Sequence, residues 1–204
     1  MAGTAVADIN IASTALVDAS RGLDMSPRMV PFAASAMSIV LAATVISGGL
    51  AADRIGRRRL LMWTLAVGIA AECLTAASQS VWMFVACRAL AGICLGIVFT
   101  ASFTFVRAVS TPQTLGKSLG LFGAVSGLTM MFASFIGGSL ATVQWRVAFL
   151  VIPALYAIAL ILIPRVLPPQ PSIGSGPTDI VGQLLLAVGI VGPLYAVSQL
   201  DASF

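Results

Sequence analysis

Long uncharged runs alternate with short polar breaks along most of this chain. Met29 to Ala52 carries no charge, and neither does Leu60 to Ala71. The first is long enough to cross the ~30 Å hydrocarbon core at a rise of ~1.5 Å per residue, and the second nears that length by continuing past Glu72 to about residue 78. The same pattern predicts spans at about 30–52, 60–78, 81–106, 116–141 and 147–164. A polar loop at Asp18–Arg28 precedes the first of these, with Ser26-Pro27 marking a helix start. The later breaks fall at 53–59, at Ser78-Gln79-Ser80, at Ser110–Thr114 and at Gln144-Trp145-Arg146. Residues 1–17 are weakly apolar, contain Asp8 and are short for a span. They are read as the outer part of a first helix whose beginning is absent from this chain, with a mobile N-terminus as the alternative. A Pro/Gly/Ser segment at 165–178 has no helical pattern and reads as a linker. Asp179 then opens a seventh span running to about Gln199, and the chain ends early at Asp201-Ala-Ser-Phe204.

Composition sharpens the class. With 59% hydrophobic and 9% charged residues and a mean hydropathy of +1.04, this is an all-α integral membrane protein; a soluble domain holds roughly 25% charged residues. The expected domains are a six-helix bundle at 1–164, a cytoplasmic linker at 165–178 and a seventh transmembrane helix at 179–204. The formal charge of +4 does not imply nucleic acid, because the basic residues sit beside spans, where orientation explains them. Arg54, Arg57, Arg58 and Arg59 crowd one break, and cytoplasmic loops retain Lys and Arg. With that break inside, Arg107, Lys117 and Arg165 join it there, while Arg21, Arg28 and Arg146 lie outside. The expected location is the cell (inner) membrane, with the N-terminus and residues 53–59 cytoplasmic.

Several chemistries are excluded. There is no His, hence no His-based catalysis or His–metal site, and no Gly-x-Ser-x-Gly or catalytic carboxylate pair supports an enzyme. No cofactor or metal is expected. The first twenty residues lack the basic n-region of a secretory signal. Cys73, Cys87 and Cys94 match no metal spacing and read as inert, buried small residues.

Charges inside spans point to function, because each costs at least ~2.5–3.5 kcal/mol in hydrocarbon. Glu72 lies seven or eight residues before the turn at Gln79-Ser80, and Arg88 eight or nine after it. Both therefore sit ~10–13 Å below one membrane face, and an ion pair would offset much of their desolvation. Asp8 falls at about the same depth if the first helix ends near residue 17. Two readings stand: Glu72 and Arg88 clip two helices together, or Asp8 or Glu72 takes up and releases a proton beside Arg88. Small residues at helical spacing, Gly92 and Gly96, then Gly116, Gly120, Gly123 and Gly127, then Gly137 and Gly138, predict close helix packing.

The basic break carries a family resemblance. Asp53 closes one span, Gly56 permits a tight turn, and Arg57–Arg59 open the next, where the helix dipole disfavours cations. An acidic partner there would make a latch. Gly49-x-x-Ala-Asp53-Arg54-x-Gly56-Arg57-Arg58 resembles the loop 2–3 signature of the major facilitator superfamily, with Ala51 in place of the usual Leu. Arg88-Ala-Leu-Ala91-Gly92 is similar to its fourth-helix motif, with Ala91 in place of Gln. Gly137-Gly138 match part of its antiporter motif, while Ala133-Ser134 stand where Gly-Pro is expected. Trp145-Arg146-x-x-Phe149 and the short linker to Asp179-x-x-Gly182 resemble the fourteen-span drug:proton antiporter branch.

This resemblance implies the N-terminal six-helix bundle of a two-bundle transporter, with substrate held between the bundles. The expected function is that of a fragment or truncated form of a secondary active transporter, exporting small amphipathic compounds in exchange for protons. Its partners would be a small-molecule substrate, protons, the lipid bilayer, and a C-terminal half or second copy. A metabolite or nutrient carrier of the same superfamily, or a non-transporting membrane remnant or interaction subunit, remains open.

Overall fold

Inside a bilayer every backbone polar group must be bonded within the chain, and the apolar runs meet that demand as helices. The computed structural model describes residues 2–167 and the isolated positions 182, 185, 189 and 193. It contains α1 (Ala2–Gly22), α2 (Met29–Ile55), α3 (Arg57–Ala76), α4 (Val81–Val109), α5 (Leu115–Ala141), α6 (Trp145–Ala148) and α7 (Val151–Val166). No strand occurs among the described residues. Among the described residues four stretches are long and apolar enough to cross a membrane: α3, α4, α5, and α6 with α7 taken together. Most of the linker expected at 165–178, and the seventh span expected at 179–204 apart from four positions, lie outside the described residues.

Several boundaries differ from the sequence expectation. The first helix continues to Gly22 rather than yielding to a loop at Asp18, because Ala19 and Leu23 are buried and hold its last turn against the bundle. The basic break shrinks from seven residues to one. Helix α2 runs to Ile55, α3 starts at Arg57, and Gly56 turns the chain alone with φ 91°. That backbone region is open to glycine and strained for β-branched residues. The sixth span is broken after Ala148, since the Pro153 ring disfavours an uninterrupted helix past the Phe149 carbonyl. Pro164 falls inside α7, whose last turn is closed by Leu167 N–H donating to the Ile163 carbonyl at 2.9 Å.

Helix α2 packs chiefly on α4, α1 on α5, and α3 on both α4 and α7. Glycine decides how close the α2–α4 seam is. A β-carbon at Gly92 would lie 2.5 Å from the Met37 carbonyl oxygen, and one at Gly96 2.6 Å from Thr44 Oγ1. Thr100 Oγ1 crosses the same seam to donate to the Val45 carbonyl at 2.6 Å. Gly137 likewise admits the Ile11 side chain between α5 and α1. The rest of the expected stripe behaves otherwise. Gly116, Gly120, Gly123, Gly127 and Gly138 have nothing within 4 Å of a would-be β-carbon. The contacts expected at Gly123, Gly127 and Gly138 are not made among the described residues. The physical reason is that α1 meets α5 along the line of Ala133, Gly137 and Ala141, its buried residues, and the glycine stripe points away.

Gly92→Ala is therefore expected to lower the thermal stability of the detergent-solubilised chain by ~1–3 kcal/mol through overpacking. Gly120→Ala should leave stability unchanged or raise it by up to ~1 kcal/mol through helix propensity. Differential scanning fluorimetry of the two variants distinguishes them, and equal effects would remove the close seam from the account.

Candidate functional site

Three helices deliver one ionisable side chain each to the middle of the bundle. Asp8 comes from α1, Glu72 from α3 and Arg88 from α4, and their relative exposures are 0%, 1% and 2%. Arg88 Nη1 donates to both Asp8 oxygens, at 2.9 Å to Oδ1 and 2.8 Å to Oδ2. Glu72 Oε2 lies 3.6 Å from the same nitrogen. The sequence expectation paired Arg88 primarily with Glu72; the shorter contact is with Asp8. Residue counting gives depth along a helix but not which neighbour stands nearest in the layer.

Apolar groups enclose the guanidinium. Its Nη2 points at the Met37 sulfur, and its carbon lies 5.2 Å from the centre of the Phe149 ring, within cation–π range. Phe149, Phe84 and Trp145 meet edge to face, with centroids 5.8–6.3 Å apart. All three are buried. Arg146 holds this aromatic group in place. Its Nη1 donates to the carbonyls of Ala76 and Ser78 at 2.8 and 2.7 Å, completing the C-terminus of α3, and its guanidinium stacks 4.4 Å over Trp145. On the far side, the bare Cα of Gly68 admits Tyr156, whose ring a β-carbon there would approach to 2.9 Å. Sequence reading had Arg146 as a loop charge and did not single out Met37, Phe84 or Tyr156. The four-residue spacing of Trp145 and Phe149 was the available signal that both share one face.

The arithmetic of charge limits what this cluster can do. Two ionised carboxylates and one guanidinium sum to −1, and one proton brings the cluster to zero. Neither Glu72 oxygen has a hydrogen-bond partner among the described residues, although Glu72 faces Asp8 as well as Arg88. A proton carried by one of the two carboxyls would supply that missing donor. A buried acid left without a donor is costly.

The basic segment is described only in part. Arg58 Nη2 donates to the Pro164 carbonyl at 3.4 Å, joining the start of α3 to the end of α7. A β-carbon at Gly49 would stand 3.3 Å from Thr100 Cγ2 on α4. Arg54 and Arg59 are exposed and Arg57 is half-buried, while the Asp53 side chain lies outside the described residues. The cysteines do not share one environment. Cys94 is buried and Cys87 half-buried, but Cys73 is exposed because it falls on the face of α3 opposite the Leu61, Leu65 and Glu72 line. No group of three metal-ligating side chains occurs among the described residues.

Comparison with known proteins gives a consistent answer. The family described as Major Facilitator Superfamily matches residues 1–198. A methylenomycin A resistance protein of Bacillus subtilis is 30% identical over 199 residues, covering 96% of this chain and 42% of that protein. A puromycin resistance protein of Streptomyces alboniger is 30% identical, covering 98% and 40% respectively. A multidrug resistance protein B homolog of Mycobacterium tuberculosis is 27% identical, covering 96% and 36%. The chain thus spans about two fifths of the length of these relatives.

Removing Arg88 would leave two acidic groups buried together. Arg88→Leu is expected to destabilise the chain by ~3–5 kcal/mol, the usual cost of stranding a buried charge. Adding Asp8→Asn and Glu72→Gln to that variant should recover a large part of the loss. Thermal unfolding of the single and triple variants in detergent reads both effects, and a triple variant no more stable than the single would count against charge pairing as the cause.

Proposed function

Because the chain belongs to the Major Facilitator Superfamily, we propose that it forms one wall of a proton-coupled exporter of small amphipathic compounds. The observation that carries this reading is the buried Asp8–Arg88–Glu72 cluster, with its one-proton imbalance and a Glu72 carboxyl held by a 3.6 Å ion pair rather than by a hydrogen bond. The resistance activities in the relatives' names support small organic molecules as the exported class.

In this reading one proton shared by Asp8 and Glu72 neutralises the cluster. Arg88 then leans on whichever carboxyl stays ionised. Losing the proton restores the second negative charge, and α1, α3 and α4 adjust to place Arg88 between the two acids. Because those helices carry the acids on separate segments, a proton is converted into a helix movement, and a substrate held against the same bundle feels it. Gly49, Asp53, Arg54, Gly56, Arg57 and Arg58 act as the latch for that movement. The single-residue turn at Gly56 supports this reading, since it joins α2 and α3 at one point about which they would pivot. The seven-to-three excess of basic residues supports a cytoplasmic position for this turn and for the N-terminus. Gly92, Gly96 and Gly137 keep the pairs α2–α4 and α1–α5 together as they move. The opposing wall of the pathway comes from a C-terminal half or a second copy.

The test is transport in inverted membrane vesicles from cells making the complete transporter that contains this chain. Asp8→Asn and Glu72→Gln should each lower drug uptake driven by a pH gradient by about 10²-fold or more, the scale on which loss of a proton-transferring group is felt. Exchange of labelled for unlabelled drug without a gradient should persist. Unchanged gradient-driven uptake in both variants would end the proposal.

A further inference from the structure

Away from the charge cluster, α5 and α7 part to leave an apolar groove of about 320 Å³. Val125, Leu128, Phe132 and Ile136 line it from α5, Val151 and Leu155 from α7. Its one hydroxyl, on Thr129, donates to the Val125 carbonyl of its own helix at 2.8 Å, so the walls offer an occupant no free polar group. At 3.6 residues per turn this face of α5 lies opposite the stripe of Gly116, Gly120, Gly123 and Gly127. Helices in lipid approach one another best across small residues. Here the exposed side chains of Leu128, Phe132 and Ile136 hold a helix backbone off and leave a slot for a thinner, flexible occupant.

Both walls continue past the groove toward the Gly56 side, where α5 begins and α7 ends. On α5, Val125 is followed at helical spacing by Leu121 and then Lys117; on α7, Leu155 is followed by Ile158, Leu162 and Arg165. Leu121, Ile158 and Leu162 are exposed, and so are the two cations. Neither Lys117 nor Arg165 has an ion pair or side-chain hydrogen bond among the described residues, and the sequence has no acidic residue between Glu72 and Asp179. Arg58, bonded to the Pro164 carbonyl at 3.4 Å, brings a further cation beside Arg165. Lys117 also stands in the first turn of α5, where the helix dipole favours an anion.

The lengths match one leaflet. From Lys117 to Val125 is eight residues, or ~12 Å, and from Arg165 to Leu155 ten residues, or ~15 Å. Half of the hydrocarbon core is ~15 Å. An acyl chain whose headgroup sits at the two cations therefore runs along Leu121, Ile158 and Leu162 and ends in the groove.

We propose that this strip binds an anionic phospholipid of the leaflet on the Gly56 side, its phosphate held by Lys117 and Arg165 and one acyl chain ending between Val125, Leu128 and Leu155. Basic residues at the membrane ends of helices draw anionic headgroups. A zwitterionic lipid fits the same apolar walls but brings its own cation toward Lys117 and Arg165. The site shares no residue with the Asp8–Arg88–Glu72 cluster.

Photolabelling of the complete transporter in phosphatidylcholine vesicles tests the site. The probe is phosphatidylglycerol or phosphatidylcholine carrying a diazirine at the end of one acyl chain, and adducts are located by peptide mass spectrometry. At equal probe concentration, adducts at Val125, Leu128 and Leu155 should be at least about fivefold more abundant with phosphatidylglycerol, the preference one basic residue supplies. Replacing both cations, Lys117→Gln with Arg165→Gln, should bring the two probes level. The charge-conserving pair Lys117→Arg with Arg165→Lys should keep the preference. Equal labelling of the unsubstituted transporter by the two probes would overturn the proposal, as would a preference that survives loss of both cations or disappears in the charge-conserving pair. A groove labelled by neither probe, while other exposed faces are labelled, would mean that another part of the transporter covers it, and would overturn the proposal as well.

Discussion

One guanidinium compensating two carboxylates inside an apolar bundle is the interaction on which the arrangement of the helices depends. A single ion in hydrocarbon costs at least ~2.5–3.5 kcal/mol, and Asp8, Glu72 and Arg88 would each bear that cost alone. Their mutual contacts at 2.8, 2.9 and 3.6 Å offset it only when α1, α3 and α4 converge at one level. That requirement brings α1 and α3 to α4, while α2 packs on α4 through the seam at Gly92 and Gly96. The side chains around the guanidinium are Met37 and an aromatic group. Phe149 faces a cation, and Phe84 and Trp145 complete an edge-to-face set around it.

The two sides of this layer are built from different materials. Toward Gly56 the helices approach through glycine, at Gly3 and Gly92 against backbone carbonyls and at Gly68 against the Tyr156 ring. Toward the 23–28 turn they part over serine and alanine, with an aromatic wall held by Arg146 alongside.

Much of the helical pattern was legible because a bilayer leaves the backbone little choice. Uncharged runs near twenty residues become helices, and polar breaks end them. The errors cluster where a single residue outweighed the local pattern. Gly56 alone replaced a seven-residue loop, Pro153 split the sixth span, and buried Ala19 and Leu23 carried α1 past the polar residues at Asp18 and Ser20. The glycine repeat on α5 obeyed the spacing rule for packing yet faces away from α1, whereas Gly3 and Gly68, which belong to no repeat, are in tight contact. Spacing identifies a face; it does not say whether another helix lies against it.

By itself the amino-acid order determined an all-helical membrane bundle, the depth of Glu72 and Arg88 within it, and the motifs of its superfamily. These are one-dimensional properties, set by the rise per residue and by the cost of charge in lipid. Tertiary structure decided that Asp8 is the nearer partner of Arg88, that Phe149 and Met37 enclose the guanidinium, and that a cavity opens between α1, α2 and α4. Those outcomes depend on how helices are rotated about their axes and which of them are neighbours, and neither quantity is encoded at any single position in the chain.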